Sequence, residues 1–184
     1  MFTSFTLFTK SLTNKIKYRL RRQDFVFFSC MIDDMPVISD CGECSFKVLD
    51  GIDKFILIDW ILTNNPANTY DLKCIKKNIG NNKIVVGYID NEIVHYFFIF
   101  FDPFSSPLSK TTFDLNLVGP NDVYLGSAFT MASCRDSWIM LKSLTFTKYY
   151  LLTLNLRRAF LFVSRETPGA VSFWRRLNFN EILL

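Results

Sequence analysis

The sequence predicts a single α/β domain, because strand patterns and helix patterns alternate along the chain. Residues 83–89 and 92–101 are two strand-like runs joined by Asp90-Asn91, a pair that tolerates the positive φ angles of a tight hairpin turn. Two strand-and-helix units follow, at residues 123–131 with 138–153 and at residues 157–165 with 168–178. Each unit places an apolar run directly before a helical pattern, which is the arrangement of an α/β fold.

Shorter elements complete the predicted pattern: strands at residues 24–31 and 112–117, and helices at residues 47–62 and 70–79. The first of these strands holds the aromatic run that begins at Phe25. Asn64-Asn65-Pro66 ends the first helix, and Asn68 or Thr69 caps the second.

The composition favours one globular domain in a reducing compartment. With 184 residues, 49% hydrophobic and 21% charged, the chain has the size and apolar content of one domain. Its 5 cysteines are scattered and odd in number, which argues against a disulfide framework and favours the cytoplasm. Cys41 and Cys44 have the spacing of half a zinc site, but no second pair supplies the other ligands, so no metal is predicted.

Residues 1–22 form a basic arm ahead of the single domain at residues 23–184. Six basic residues precede the first acidic residue: Lys10, Lys15, Lys17, Arg19, Arg21 and Arg22. Four apolar residues recur on the arm near helical spacing: Phe5, Phe8, Leu12 and Ile16. We therefore expect an amphipathic helix that docks on the domain or lies on a membrane surface. No nucleic-acid partner is expected, because the aromatic residues fall in predicted core strands.

The C-terminal segment resembles the final motif of the GNAT acyltransferases, a superfamily of acyl-CoA N-acyltransferases with the common pattern E-N-x-x-A-x-x-F-Y-x-x-x-G-F. Four positions match with the correct spacing: Glu166, Ala170, Phe173 and Phe179. Three positions depart from the pattern: Thr167 replaces Asn, Trp174 replaces Tyr, and Asn178 replaces Gly. Asparagine is a suitable substitute at a left-handed helix end.

Residues 123–131 resemble the family's fourth strand, whose backbone pairs with the pantetheine arm of the donor. The helix after that strand normally begins R-x-x-G-x-G, whereas this chain has Arg135-Asp136-Ser137-Trp138-Ile139-Met140. The Arg is kept and both glycines are lost. Because glycine lets a phosphate approach the amides of a helix start, Trp138 and Met140 are expected to weaken pyrophosphate binding.

The resemblance implies a fold, a cofactor and a set of contact residues. The fold is a mixed, mostly antiparallel central sheet flanked by helices, with the donor entering between the fourth and fifth strands. The cofactor is acetyl-CoA or another acyl-CoA, used as a co-substrate. Its implied contacts are Phe129, Thr130, Met131, Arg135, Asp136, Ser137, Trp138, Ile139, Met140, Thr167 and Trp174.

Acyl transfer to an amine requires a group that removes a proton from the amine. His95, the only histidine, has an ordinary pKa near 6.5 that suits this role at neutral pH. A lone histidine between Val94 and Tyr96 is equally well explained as a core residue with a satisfied ring, so both interpretations stay open. Glu92 and Asp122 are further carboxylate candidates.

The thiolate that leaves in the reaction also needs a proton. Trp174 occupies the place of the family's Tyr acid, but an indole only donates and does not titrate usefully. Tyr149, Tyr150 or water are the candidates for this role.

The resemblance implies an acyltransferase that moves an acyl group, with acetyl as the first choice, from acyl-CoA to a small-molecule amine. An amino sugar of a surface polysaccharide is one acceptor that fits. Three alternatives remain open: a catalytically inactive GNAT-like binding protein, an acyltransferase for long-chain donors at a membrane, and a nucleic-acid-binding module.

Overall fold

The computed structural model describes residues 25–39, 42–66, 68–77, 82–135 and 138–183. Seven strands occur in these residues: β1 (Phe25–Met31), β2 (Ser45–Leu49), β3 (Asn82–Ile89), β4 (Glu92–Phe100), β5 (Asp122–Thr130), β6 (Arg158–Ser164) and β7 (Asn180–Ile182). They form one sheet in the order β2-β3-β4-β5-β6-β1-β7. Only β5 and β6 pair in parallel, so the sheet is mixed and mostly antiparallel, as the sequence predicts. The predicted helix of the basic arm lies outside the described residues.

Four α-helices of the described residues cover the two faces of the sheet: α1 (Phe55–Asn64), α2 (Thr69–Lys77), α3 (Ile139–Thr153) and α4 (Pro168–Arg176). Leu57 of α1 and Ile75 of α2 lie in one core cluster. Leu144 of α3 and Val171 of α4 lie in a second cluster. Among the described residues, no helix combines the length and the apolarity needed to cross a bilayer.

Strand β4 contributes to both cores. Every residue of β4 after Glu92 is buried. Phe98 packs in the α1–α2 cluster and Phe97 in the α3–α4 cluster, because successive side chains of a strand point to opposite faces. A strand that is covered on both faces has a nearly continuous apolar sequence, which explains why this strand was predicted so clearly. Its hairpin turn is confirmed, since Asp90 and Asn91 have φ angles of 50° and 65°.

The predicted helix over residues 47–62 is wrong in its first half. Ser45–Leu49 form β2, a 3-10 turn covers Gly51–Lys54, and the helix begins only at Phe55. Strand β2 pairs in antiparallel register with β3, with Leu49 opposite Ile84. Leu49 is buried in the α1–α2 cluster, so pairing and packing decide the structure of this segment.

The predicted strand at residues 112–117 is also wrong. The segment contains one 3-10 turn at Leu115–Leu117. The side chain of Asp114 accepts a hydrogen bond from the backbone N–H of Asn116 at 3.0 Å. An aspartate that caps a turn in this way competes with strand pairing. The sequence analysis also missed β7, which covers the outer edge of β1 through the pair Phe27 and Ile182.

Candidate functional site

Strands β5 and β6 pair over only three positions. The paired residues are Asp122 with Arg158, Val123 with Ala159, and Tyr124 with Phe160. Beyond these pairs the strands separate, and a cavity of about 140 Å³ lies between them. This is the opening that the resemblance places between the family's fourth and fifth strands, which are β5 and β6 of this chain.

The cavity is lined by strands on two sides and by two helices. Residues 125–128 of β5 line one side, and Leu161 and Phe162 of β6 line the other. Met140 and Leu144 of α3, Trp174 of α4 and Phe97 of β4 complete the lining. Residues 125–130 have no strand partner on the β6 side, so this edge of β5 lacks the ladder of hydrogen bonds that a continuous sheet would give it.

A β-bulge distorts β5 where it faces the cavity. Phe97 of β4 pairs with Ala128, whereas Phe98 pairs with Gly126, so Ser127 is an extra residue in β5. Ser127 has a φ angle of 51°, in the left-handed region. A side chain at Gly126 would overlap the ring of Tyr124, so glycine permits this close packing. Bulges of this kind re-aim the backbone of a strand beside a site.

Helix α3 begins at the mouth of the cavity. Ile139 is its first residue, and the N–H of Lys142 donates to the carbonyl of Trp138 at 2.9 Å. The amides before Lys142 therefore have no acceptor within the helix, which gives the helix start a partial positive charge. Arg135 adds a full charge nearby, with its Nε donating to the carbonyl of Thr130 at 3.3 Å. Asp136 and Ser137 lie outside the described residues.

The backbone of Trp138 lies in the left-handed region, which glycine adopts most readily. It occupies the position of the first glycine in the family pattern, and its φ angle is 61°. Its side chain is 69% exposed, so the indole is turned towards solvent and does not line the cavity. Met140, at the position of the second glycine, does line the cavity. The expected weakening of pyrophosphate binding at the helix start stays a prediction.

The other residues implied by the resemblance are spread around the cavity. Phe129 stacks on Tyr96 on the α1–α2 side of the sheet, and Ile139 packs with Met131 in a small buried cluster. The side chain of Thr130 bonds to His95, as described below. Thr167 precedes α4, and its hydroxyl donates to the carbonyl of Ser164 at 2.7 Å. Among the members of the implied set that the structure describes, only Met140 and Trp174 line the cavity.

His95 lies in the core between the sheet and α3. Its side chain has no exposed surface. Nδ1 lies 2.8 Å from the hydroxyl of Thr130, and Nε2 lies 3.0 Å from the hydroxyl of Ser143. Burial lowers the pKa of His95 to about 4. These contacts favour the interpretation of His95 as a satisfied core residue over that of a base.

A second buried polar group lies on the opposite face of β4, and the sequence analysis missed it. The carboxylate of Asp71 accepts from the hydroxyl of Tyr96 at 2.7 Å and from the side-chain amide of Asn68 at 2.5 Å. Asp71 is 1% exposed, and burial raises its pKa. Ser127, which lines the cavity, is one of the polar groups that partly offset this rise in pKa.

Asp71 was not recognisable as a site residue from its sequence neighbours. Asn68 caps α2, since its side-chain oxygen accepts from the N–H of Asp71 at 3.1 Å, and this cap was one of the two predicted. An acidic residue in the first turn of a helix is ordinarily explained by the helix dipole. Nothing in the local sequence indicated the contacts with Tyr96 and Ser127.

The remaining candidates lie away from the cavity. Asp122 pairs with Arg158 at 2.6 Å, at the joined end of β5 and β6. Glu92 is exposed at the hairpin turn. Tyr149 is 55% exposed on α3, and Tyr150 is partly buried in the α3–α4 cluster.

Comparison with known proteins identifies the fold. Neither a protein-family model nor a curated protein matches the sequence. Solved structures do match, and the three described below share 10–13% sequence identity with this chain. One is a functionally unknown conserved protein from Staphylococcus epidermidis, with a TM-score of 0.58 and 10% identity over 86% of this chain.

Two further matches are acetyltransferases. A GCN5-related glucosamine N-acetyltransferase region of a fungal multi-domain GH3 β-N-acetylglucosaminidase gives a TM-score of 0.63 with 13% identity over 86% of this chain. An aminoglycoside N-acetyltransferase in complex with CoA gives 0.55 with 13% identity over 80% of this chain and 95% of its own. This chain spans 57% of the staphylococcal protein and 20% of the fungal one. The chain therefore has the fold of the GCN5-related N-acetyltransferases.

The buried imidazole of His95 predicts a measurable pH dependence of stability. Because its pKa is about 4 in the folded protein and near 6.5 when unfolded, only the unfolded chain takes up a proton between these values. The stabilisation is complete above pH 6.5 and is lost as the pH falls towards 4, by about 3 kcal/mol in total.

Proton NMR measures the protonation of the His95 ring directly, because the chain has 1 histidine and its ring signals are unambiguous. We expect the ring to stay neutral at pH 5. In urea unfolding, His95→Gln removes this contribution to the pH dependence while keeping hydrogen-bonding groups in place. A ring that titrates near 6.5 in the folded protein would contradict the buried, neutral state.

The φ angle of Trp138 predicts that glycine stabilises the protein there. A non-glycine residue in the left-handed region costs about 1–2 kcal/mol, part of which is offset by the greater entropy of an unfolded glycine. Trp138→Gly should raise the free energy of unfolding by roughly 0.5–1 kcal/mol in urea titrations. Trp138→Ala is the matched control, because it removes the indole and keeps the Cβ. Equal effects of the two variants would show that backbone conformation is not the cause.

Proposed function

We propose that this protein is a CoA-dependent N-acyltransferase whose acyl donor lies in the opening between β5 and β6. The observation that carries the proposal is the unpaired edge of β5, which runs beside an apolar cavity and ends next to a helix start. An extended ligand with amide groups can pair with such an edge as an added strand does. The helix start and Arg135 supply donors for an anionic group at one end of that ligand.

Acyl-CoA combines these three chemical features. Its pantetheine arm carries amides, its pyrophosphate is anionic, and its acyl group is apolar. The small cavity favours a short acyl group such as acetyl. The fold comparison supports the same donor, because a structural neighbour was solved in complex with CoA.

The acceptor that we propose is an amino sugar. Two structural neighbours support it through their own substrates, since one is a glucosamine N-acetyltransferase region and another an aminoglycoside N-acetyltransferase. No disulfide bond joins the described cysteines Cys30, Cys44, Cys74 and Cys134, and we propose a reducing compartment such as the cytoplasm.

The reaction forms a bond between the amine nitrogen and the thioester carbonyl carbon, and it breaks the bond from that carbon to sulfur. The amine must give up a proton, and the thiolate of CoA must gain one. We propose Asp71 rather than His95 as the group that removes the proton, because burial raises the pKa of this carboxyl above its usual value and Ser127, one of the groups that affect that pKa, lines the cavity. His95 fits the role of holding Thr130 and the end of β5 in place.

A catalytically inactive binding protein is the alternative, and a specific observation favours it. Trp174 stands where the family pattern has Tyr, and it packs edge-on against Phe179 at 4.9 Å between ring centroids. An indole in this position supplies no acid for the thiolate. Donor binding without turnover is the behaviour expected of this alternative.

The location of the donor predicts which substitutions block it. Ala128 is exposed and lines the cavity, so Ala128→Leu fills the opening without disturbing the core. We expect acetyl-CoA to bind the wild-type protein in calorimetric titrations and to bind at least about tenfold more weakly to Ala128→Leu and to Arg135→Ala. Ala128→Ser is the matched control and should bind as the wild type does. Unchanged affinity in Ala128→Leu would place the donor elsewhere, and no binding by the wild type would exclude the proposal.

The proposed role of Asp71 predicts a separation of binding from turnover. Asp71→Asn keeps a side chain that bonds to Tyr96 but cannot take a proton, so the turnover rate should fall by about a hundredfold or more while acetyl-CoA affinity is unchanged. Release of CoA is measured chromatographically with glucosamine as the acceptor, across pH 5 to 9. His95→Gln serves as the comparison, and a severe loss of rate in that variant alone would assign proton removal to His95.

A further inference from the structure

Helix α1 presents apolar side chains to solvent. Ile52, Phe55, Ile56 and Leu62 are 80%, 44%, 60% and 52% exposed. Their spacing places them on one side of the helix and the turn before it, together with Asp59. Single exposed apolar residues are normal, but four on one face indicate a surface that is covered by something else. We call these five residues the α1 outer face.

A groove of about 420 Å³ adjoins the α1 outer face and extends to the hairpin turn of β3 and β4. Trp60 and Tyr88 form part of its lining, and Asp59 and Glu92 place two carboxylates on it. Asp53 lies close enough to Tyr88 to raise the pKa of its phenol, although burial is the larger cause. Lys47 also reaches this rim, with its Nζ 5.6 Å from the centre of the Tyr88 ring. The surface is thus apolar with an acidic border.

Phe25, the first described residue, lies at the end of the sheet that holds the groove and on the face that carries it. Phe25 pairs with Ser164, at the end of β6. Since β6 is parallel to β5, and β5 is antiparallel to β4, this end also holds the hairpin turn at Glu92. Phe25 packs against the α1–α2 cluster, as Trp60 and Tyr88 do. Phe25, the first described residue, therefore lies on the face that carries the groove.

The composition of residues 1–22 complements that surface. Four apolar residues at helical spacing, Phe5, Phe8, Leu12 and Ile16, match the apolar face, and six basic residues match the acidic border. Three strand spacings separate β1 from β4, or about 15 Å before the opening between β5 and β6 is added. A helix of 22 residues is about 33 Å long, so the segment reaches the groove.

We propose that residues 1–22 form an amphipathic helix that docks on the α1 outer face and its groove. In this arrangement the apolar side of the helix covers Ile52, Phe55 and Ile56, and its basic residues lie near Asp53, Asp59 and Glu92. The docked segment lies on the α1–α2 face of the sheet. This is the face that holds Asp71, and α3 lies on the opposite face. The proposal is independent of any acyltransferase activity.

Photo-cross-linking in the full chain tests the docking. A benzoylphenylalanine at position 8 replaces an apolar-face residue, and the same group at position 14 is the matched control on the opposite side of the predicted helix. At dilute protein concentration, position 8 should cross-link within the same chain to residues 52–63, at least about fivefold more than position 14 does. Mass spectrometry of the digested monomer identifies the attachment sites.

Two further variants separate the apolar from the electrostatic contribution of this surface to docking. Ile56→Glu should reduce the cross-link at low and high salt alike, whereas Asp59→Lys should reduce it most at low salt, because the charge attraction is screened as salt rises. Both positions are exposed, so circular dichroism should show an unchanged fold. Three outcomes would each overturn the proposal. The cross-links could go to other parts of the domain, or form only between two chains. Cross-linking could also be lost on anionic vesicles that retain the protein.

Discussion

Backbone hydrogen bonding between β5 and β6 stops after Tyr124 and Phe160, and the rest of the candidate site depends on that interruption. A continuous ladder would have filled the space with paired strands. The bulge at Ser127 turns the backbone of β5 at the same level, so the unpaired groups face a cavity. Helix α3 then begins at the open end with amides that need acceptors. A strand edge, a cavity and a helix start thus follow from one break in the sheet.

Two buried polar groups lie on opposite faces of β4: His95 of the strand itself, and Asp71 of α2, which accepts a hydrogen bond from Tyr96 of the strand. His95 points to α3 and Tyr96 points to α2, because their side chains alternate across the strand. Burial makes a charged form costly in both places, so His95 is neutral and Asp71 binds its proton more readily than usual. The histidine is satisfied by two hydroxyls of the core. Ser127, one of the groups that affect the pKa of Asp71, lines the cavity, and the proposed role of Asp71 rests on this proximity.

Local sequence predicted the elements that local forces determine. The hairpin at Asp90 and Asn91, β5, α3 and α4 all follow from turn residues and apolar patterns, and they are confirmed. Strand β2 was mistaken for helix, because its pairing with β3 is not encoded in the spacing of its own residues. The site was predicted to the level of its strand and helix. Residues 125–128 fall within the strand that the resemblance assigns to donor binding, but neither their contact with the cavity nor the burial of Asp71 was predicted, since the splay, the bulge and the contact with Tyr96 are tertiary features.

The strand order has a consequence for how the chain is made. Strands β2 to β5 pair with neighbours close in sequence, whereas β1 pairs with β6 and β7 near the other end of the chain. During synthesis β1 is therefore exposed first and paired last. Its aromatic run, Phe25 to Phe28, has no partner until the ribosome has made residues 158–164. The nascent chain consequently exposes an unpaired, aggregation-prone strand for most of its synthesis. Chaperone binding to this strand would raise the yield of folded protein.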